Sequence, residues 1–255
     1  MKRTVLITGA SSGIGAACAE MFAREGKYRL ILCARRINKV TELAEKIGRT
    51  YPDCAIHAFA LDVRQEKEVF EAVSHLPENW QQVDVLINNA GLSQGLDNIA
   101  DGNIADWDTM IDTNVKGLLY VTKAVVPLLK RSTEPHIINI GSIAGKEVYP
   151  NGNVYCATKH AVDALNKAMR IDLLPFGIKV TAVNPGMVET EFSEVRFKGD
   201  KERAKAVYQG LTPLNGHDIA EIISFVLSRP SHVNINDILV MPTAQANGTI
   251  VDRKN

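Results

Sequence analysis

Net charge is the first thing this sequence lacks. Lysine plus arginine and aspartate plus glutamate number 29 each, so no basic field exists to attract nucleic acid or an anionic membrane. Long apolar runs are also missing. None approaches the ~20 residues a membrane span needs, and Met1-Lys2-Arg3-Thr4-Val5 leads into a strand pattern rather than a signal peptide. The four cysteines, Cys18, Cys33, Cys54 and Cys156, show no Cys-x-x-Cys spacing. They read as reduced thiols in a cytoplasmic protein. The six histidines form no His-Glu-x-x-His or comparable cluster, so no metal is expected. Aromatics make up only 6%, which argues against a large apolar ligand. No repeat, low-complexity block or Pro/Gly-rich linker divides the chain.

What is present is an alternation. Strand-like runs at 29–34, 55–61, 83–87, 136–140, 179–183 and 237–241 alternate with helix-like stretches at 14–24, 36–50, 66–76, 104–130, 155–174 and 218–227. This order predicts a doubly wound parallel sheet. Residues 190–214 are polar and less periodic and read as an insertion, and the last fourteen residues read as a tail.

The stretch Thr4 to Gly15 organises the chain. Val5-Leu6-Ile7 is a short apolar run of the kind a buried parallel strand uses. It breaks at Thr8-Gly9, and a helical pattern opens after Gly13. A glycine-rich turn between strand and helix can press its backbone against a phosphate. The helix behind it adds free N–H groups and the positive end of its dipole.

In an open parallel sheet, ligands bind beyond the carboxyl ends of the strands. Those ends carry Thr8-Gly9, Arg35-Arg36, Asp62, Asn88-Asn89-Ala90-Gly91, Ser142 and Pro185-Gly186. A site for NAD has an acid about 20 residues after the glycines, bonded to the ribose 2′-OH. Here Cys33-Ala34-Arg35-Arg36 holds none. Guanidinium groups at that point suit the 2′-phosphate of NADP; the alternative is two solvated arginines at a strand end. Tyr155 and Lys159 stand at i and i+4, on one helix face. A free tyrosine has a pKa of ~10, and a nearby ammonium favours the phenolate. The pair could then move a proton to or from a carbonyl or alcohol oxygen. Such a pair is commonly solvated surface; Ser142 upstream at a strand end gives it a second group for the same oxygen.

These residues together resemble the short-chain dehydrogenase/reductase family. The resemblance rests on Thr8-Gly9-x-x-x-Gly13-x-Gly15, Asn88-Asn89-Ala90-Gly91, Asn114, Ser142, Tyr155-x-x-x-Lys159 and Pro185-Gly186, in family order and spacing. It covers nearly the whole chain. It implies one Rossmann-type α/β domain over 1–255, a seven-stranded parallel sheet with helices on both faces, and a substrate lid at about 188–214. It also implies roles. Tyr155 would be the acid/base, and Lys159 would lower its pKa and bond the nicotinamide ribose. Ser142 would polarise the substrate oxygen. Asn114 would hold a water linking Lys159 to solvent, unless it is a helix-interior asparagine satisfied by backbone. NADP would lie on Gly9, Ser11, Ser12, Gly13, Ile14, Gly15, Arg35 and Arg36. Asp62 and Val63 would flank its adenine, Asn89, Ala90 and Gly91 would line its path, and Pro185, Gly186, Val188 and Thr190 would cover the nicotinamide.

Residues 191–200 and the regions 232–237 and 241–243 resemble those of NADP-dependent dehydrogenases of serine, allo-threonine and other 3-hydroxy acids. That implies a small-molecule substrate, a 3-hydroxy acid (of the 3-hydroxypropionate type also) or the matching semialdehyde. Such a substrate needs a carboxylate anchor. Arg196 and Lys198 are candidates, with solvated lid cations as the alternative. Another reductase of a ketone, sugar or steroid, and a non-catalytic NADP-binding regulator, are the competing functions. The wide apolar faces expected at 104–130 and 153–175 suggest an oligomer, in this family a homotetramer or a dimer.

Overall fold

The computed structural model describes residues 2–254. Among them, seven strands form one sheet: β1 (Arg3–Thr8), β2 (Tyr28–Ala34), β3 (Ile56–Ala60), β4 (Val85–Asn88), β5 (His136–Ile140), β6 (Lys179–Pro185) and β7 (Asp237–Val240). Every pairing is parallel, in the order β3-β2-β1-β4-β5-β6-β7. The helices in chain order are α1 (Gly13–Glu25), α2 (Ile37–Thr50), α3 (Glu66–Ser74), α4 (Ile104–Ile111), α5 (Leu118–Leu129), α6 (Asn153–Asp172), α7 (Phe192–Arg196), α8 (Lys201–Ala206) and α9 (Gly216–Leu227).

The central strands are apolar because both faces are covered. Their side chains alternate between two cores. Val5, Ile7, Leu30, Leu32, Val85 and Ile87 face a core with Cys18 and Phe22 of α1, Val40 of α2 and Ile219 of α9. Leu6, Ile31, Leu86 and Ile137 face a second core with Val69 of α3, Val125 of α5 and Val162 of α6. The strand order reverses between β1 and β4. Loops leave that boundary in opposite directions and open a crevice at the carboxyl ends.

Three segments differ from their sequence reading. The expected helix at 104–130 is α4 and α5 joined by a π-helical segment, Asp112–Gly117. Within it, Asn114 turns its side chain to the backbone of Leu92, donating to the carbonyl at 2.8 Å and accepting from the N–H at 2.9 Å. Residues 190–214 contain two short helices, α7 and α8. The expected tail folds back. Gln245 is buried and accepts from Met187 N at 2.8 Å, and Arg253 donates to the carbonyls of Val207 and Gln209.

Candidate active site

The turn after β1 is built by glycine. Gly9 and Gly13 have φ of +66° and +56°, a region side chains resist. Ser12 precedes α1 in extended backbone and does not cap it. Its hydroxyl and that of Ser11 instead accept from Arg36 Nη2 at 2.9 and 3.0 Å. The first N–H groups of α1 therefore carry no side-chain cap, and Gly13 and Ile14 at that end line the crevice. Asn89 ties this turn to the end of β4, donating to the carbonyls of Thr8 and Gly9 at 2.9 and 3.1 Å.

Gly15 is closely enclosed by the two turns. It lies outside the crevice lining, and a Cβ there would come within 2.5 Å of Asn89 Nδ2 and 2.6 Å of Gly9 O. Its smallness lets α1 pack against the two turns.

A cleft of about 660 Å³ runs along the carboxyl ends of the strands. One end is lined by Gly9, Ser11, Ser12, Gly13, Ile14, Arg35, Arg36, Asp62 and Val63. Burial alone would raise the Asp62 carboxyl, but Arg64 grips it at 2.6 to 3.0 Å and holds it below the usual range. The middle is lined by Asn89, Ala90 and Gly91, and the far side by Pro185, Gly186, Val188 and Thr190. The cleft thus gathers every expected cofactor residue except Gly15.

Ser142, Tyr155 and Lys159 meet at the other end. Tyr155 is 8% exposed. Burial pushes its phenol up, and neighbouring Tyr149 adds to this; the Arg196 guanidinium and the Ser142 hydroxyl pull it down. Lys159 was expected to lower the phenol. Here its Nζ donates to Ile140 O at 2.8 Å, and burial brings the ammonium down to about 8. Ser142 also caps the following turn, accepting from Ala144 N at 3.1 Å. Asn114 lies behind the cleft wall and also donates to Thr158 Oγ1 at 3.0 Å. The backbone-satisfied alternative therefore describes its contacts. Its Oδ1 nevertheless faces the space beside Lys159: a Cβ on Gly91 would lie 3.3 Å from Asn114 Oδ1 and 3.7 Å from Lys159 Nζ.

The two lid cations separate. Lys198 pairs with Asp106 at 2.9 Å and is not brought to Tyr155. Arg196 is. Its Nε donates to Ser93 Oγ at 3.1 Å and its Nη2 to Tyr149 Oη at 2.8 Å. Its guanidinium lies 5.2 Å from the Tyr155 ring centre and 5.0 Å from that of Phe192. Sequence reasoning missed Ser93, Tyr149 and Phe192, which sit in loops or a five-residue helix without periodicity. It also missed Thr113, whose buried Oγ1 has no hydrogen-bond partner among the described residues, and the returning chain at Gln245 and Thr249.

A Rossmann crevice with a serine, a tyrosine and a lysine at one end is the arrangement of a nucleotide-dependent oxidoreductase. The sequence model of the short chain dehydrogenase family matches residues 3–201, and the chain belongs to that family. It is 45% identical over 252 residues to the NADP-dependent 3-hydroxy acid dehydrogenase of Schizosaccharomyces pombe, covering 99% of this chain and 97% of the relative. It is 46% identical over 247 residues to sulfoacetaldehyde reductase 2 of Chromohalobacter salexigens, covering 96% of each. A solved structure of the closed form of serine dehydrogenase complexed with NADP+ matches 99% of this chain and 100% of its own, with a TM-score of 0.91 and 39% identity.

Proposed function

We propose that this protein passes a hydride between NADP(H) and a small 3-hydroxy acid, or the matching semialdehyde. One observation carries the reading. The Arg196 guanidinium is 5.2 Å from the Tyr155 ring, so one small substrate can offer an anion to the first and a reacting oxygen to the second. The relatives' names point the same way. The other end of the cleft suits NADP: uncapped N–H groups of α1 for the pyrophosphate, Arg35 and Arg36 for the 2′-phosphate.

NADP(H), when bound, supplies or accepts the hydride. The side chains manage position and proton. In reduction Tyr155 gives its phenolic proton to the nascent alkoxide; in oxidation it takes the alcohol proton. Burial keeps the phenol protonated, and Ser142 and Arg196 ease the proton's departure. Ser142 donates to the substrate oxygen. Lys159, with its pKa near 8, would hold the nicotinamide ribose of a bound cofactor and serves as the proton reserve for Tyr155. We assign Asn114 the water that connects Lys159 to solvent. Residues 188–214 act as the substrate lid of a single catalytic domain.

The assembly we favour is a cytoplasmic homotetramer. Exposed Ile104, Ile111 and Leu119 on α4–α5, with Ile171, Leu174 and Phe176 around the end of α6, support an association surface. No helix among the described residues is long and apolar enough to cross a membrane.

The test is NADPH formation by purified protein with serine, allo-threonine, 3-hydroxyisobutyrate, 3-hydroxypropionate and simple secondary alcohols, and NADPH loss with sulfoacetaldehyde. Preference for the anionic substrates is expected. Equal or better turnover of uncharged alcohols would overturn the carboxylate reading.

A further inference from the structure

A carboxylate already occupies the cationic end of the cleft. Glu191, between Thr190 and α7, places Oε2 2.8 Å from Arg36 Nη2 and Oε1 2.5 Å from Lys39 Nζ. The same Arg36 nitrogen donates to Ser11 and Ser12. One ionic node therefore joins the β1–α1 turn, the start of α2 and the chain entering α7. Burial acts to raise the Glu191 carboxyl, but Lys39 and Arg36 outweigh it and bring it down to about 2, so it is ionised at any ordinary pH. The node is only partly open to solvent: its side chains are 37 to 45% exposed, but Glu191 Oε2, the oxygen that faces Arg36, is buried. Arg35 beside it makes no ion pair or hydrogen bond among the described residues. Two cations shared with one carboxylate hold a single surplus positive charge, and a phosphate monoester brings nearly two negative ones.

We propose that Glu191 is a specificity-determining residue for the cofactor: an internal anion that competes with the 2′-phosphate for Arg36 and Lys39. This rests on the NADP reading above. Arrival of the phosphate and release of Glu191 are then one exchange. A cofactor without the phosphate has nothing to exchange, so it leaves residue 191 tied to α2. The competition weakens the phosphate's grip. In return, the chain that leads to Arg196 is anchored until the phosphorylated cofactor arrives. Residue 191 lies five positions before Arg196, within reach of the substrate end.

The test is calorimetric titration of wild type and Glu191→Gln with NADP+, 2′,5′-ADP, NAD+ and 5′-AMP. Amide exchange of residues 190–200 is followed in the free proteins. Gln keeps the shape and removes the charge. The expected result is a Kd for NADP+ and 2′,5′-ADP lowered about three- to ten-fold. NAD+ and 5′-AMP should change less than about two-fold, and residues 190–200 should exchange faster in the variant. Weaker NADP+ binding would make Glu191 an aligner of the two cations and overturn the proposal. Equal changes for phosphorylated and unphosphorylated ligands, or none, would do the same. Failure of the wild type to prefer NADP+ over NAD+ would instead sink the NADP reading itself.

Discussion

Arg196 donates to the Tyr149 hydroxyl oxygen at 2.8 Å, so the hydroxyl's own proton points away from the guanidinium. With Nε also committed to Ser93, Arg196 keeps Nη1 for an incoming anion. The two residues form a fixed pair of donors beside Tyr155. Arg196→Ala should lower kcat/KM for serine or 3-hydroxypropionate by about 30- to 1,000-fold, the loss of a charge-assisted contact of about 2–4 kcal/mol. Tyr149→Phe should lower it by about ten-fold. Steady-state kinetics against an uncharged secondary alcohol is the control; equal losses there would remove both residues from anion binding.

Tyr155→Phe removes the hydroxyl that exchanges a proton with the substrate oxygen. Turnover should fall by about 10²–10⁴-fold, while the Kd for NADPH, read by fluorescence titration, stays within about two-fold. Turnover near that of the wild type would assign the proton to another group.

Lys159 is a buried cation whose pKa is brought from 10.5 to about 8. Below pH 8 it is charged in both folded and unfolded chains, and the full cost of burial is present. Between about 8 and 10.5 the unfolded chain binds more protons, so stability rises with pH across that window. Lys159→Met should therefore raise the thermal midpoint at pH 7. The gain is about 1–3 kcal/mol, reduced by the unpaired Ile140 carbonyl, or a few degrees for a chain of this size. The difference from wild type should shrink towards pH 10.5, while activity is lost. Melting curves of the free proteins from pH 7 to 10.5 check the sign.

Arg36 holds the two serine hydroxyls as well as Glu191. Arg36→Glu should raise the KM for NADPH by about 10- to 100-fold and leave that for NADH within a few-fold. An unchanged NADPH/NADH preference would remove Arg36 from the phosphate site.

Gly15 has no room for a methyl group between Asn89 and the Gly9 carbonyl. Gly15→Ala should destabilise the fold by about 1–3 kcal/mol, seen as a lower denaturation midpoint, and should weaken NADP+ binding by displacing the turn.

The parallel sheet was legible in the sequence because strands buried on both faces must be apolar, and the glycine turn because Gly9 and Gly13 adopt backbone that other residues resist. The pairing of Tyr155 with Lys159 followed from helical periodicity. These are local rules, and local order carries them. Arg196 and Lys198 are two residues apart and chemically alike, and no local rule separates them. Only the packing of α7 sends one to Tyr155 and the other to Asp106. The same holds for Asn114, whose side chain in the π-helical segment finds its partner in the distant Leu92 backbone, and for Gln245, in a stretch that reads as a tail. Glu191 is the furthest case: its partners Arg36 and Lys39 lie more than 150 residues away. Strand and turn identity were thus determined by the sequence itself, through burial and backbone sterics. Which charges meet was decided by the tertiary structure, because a charge finds its partner through space and leaves no period in the chain.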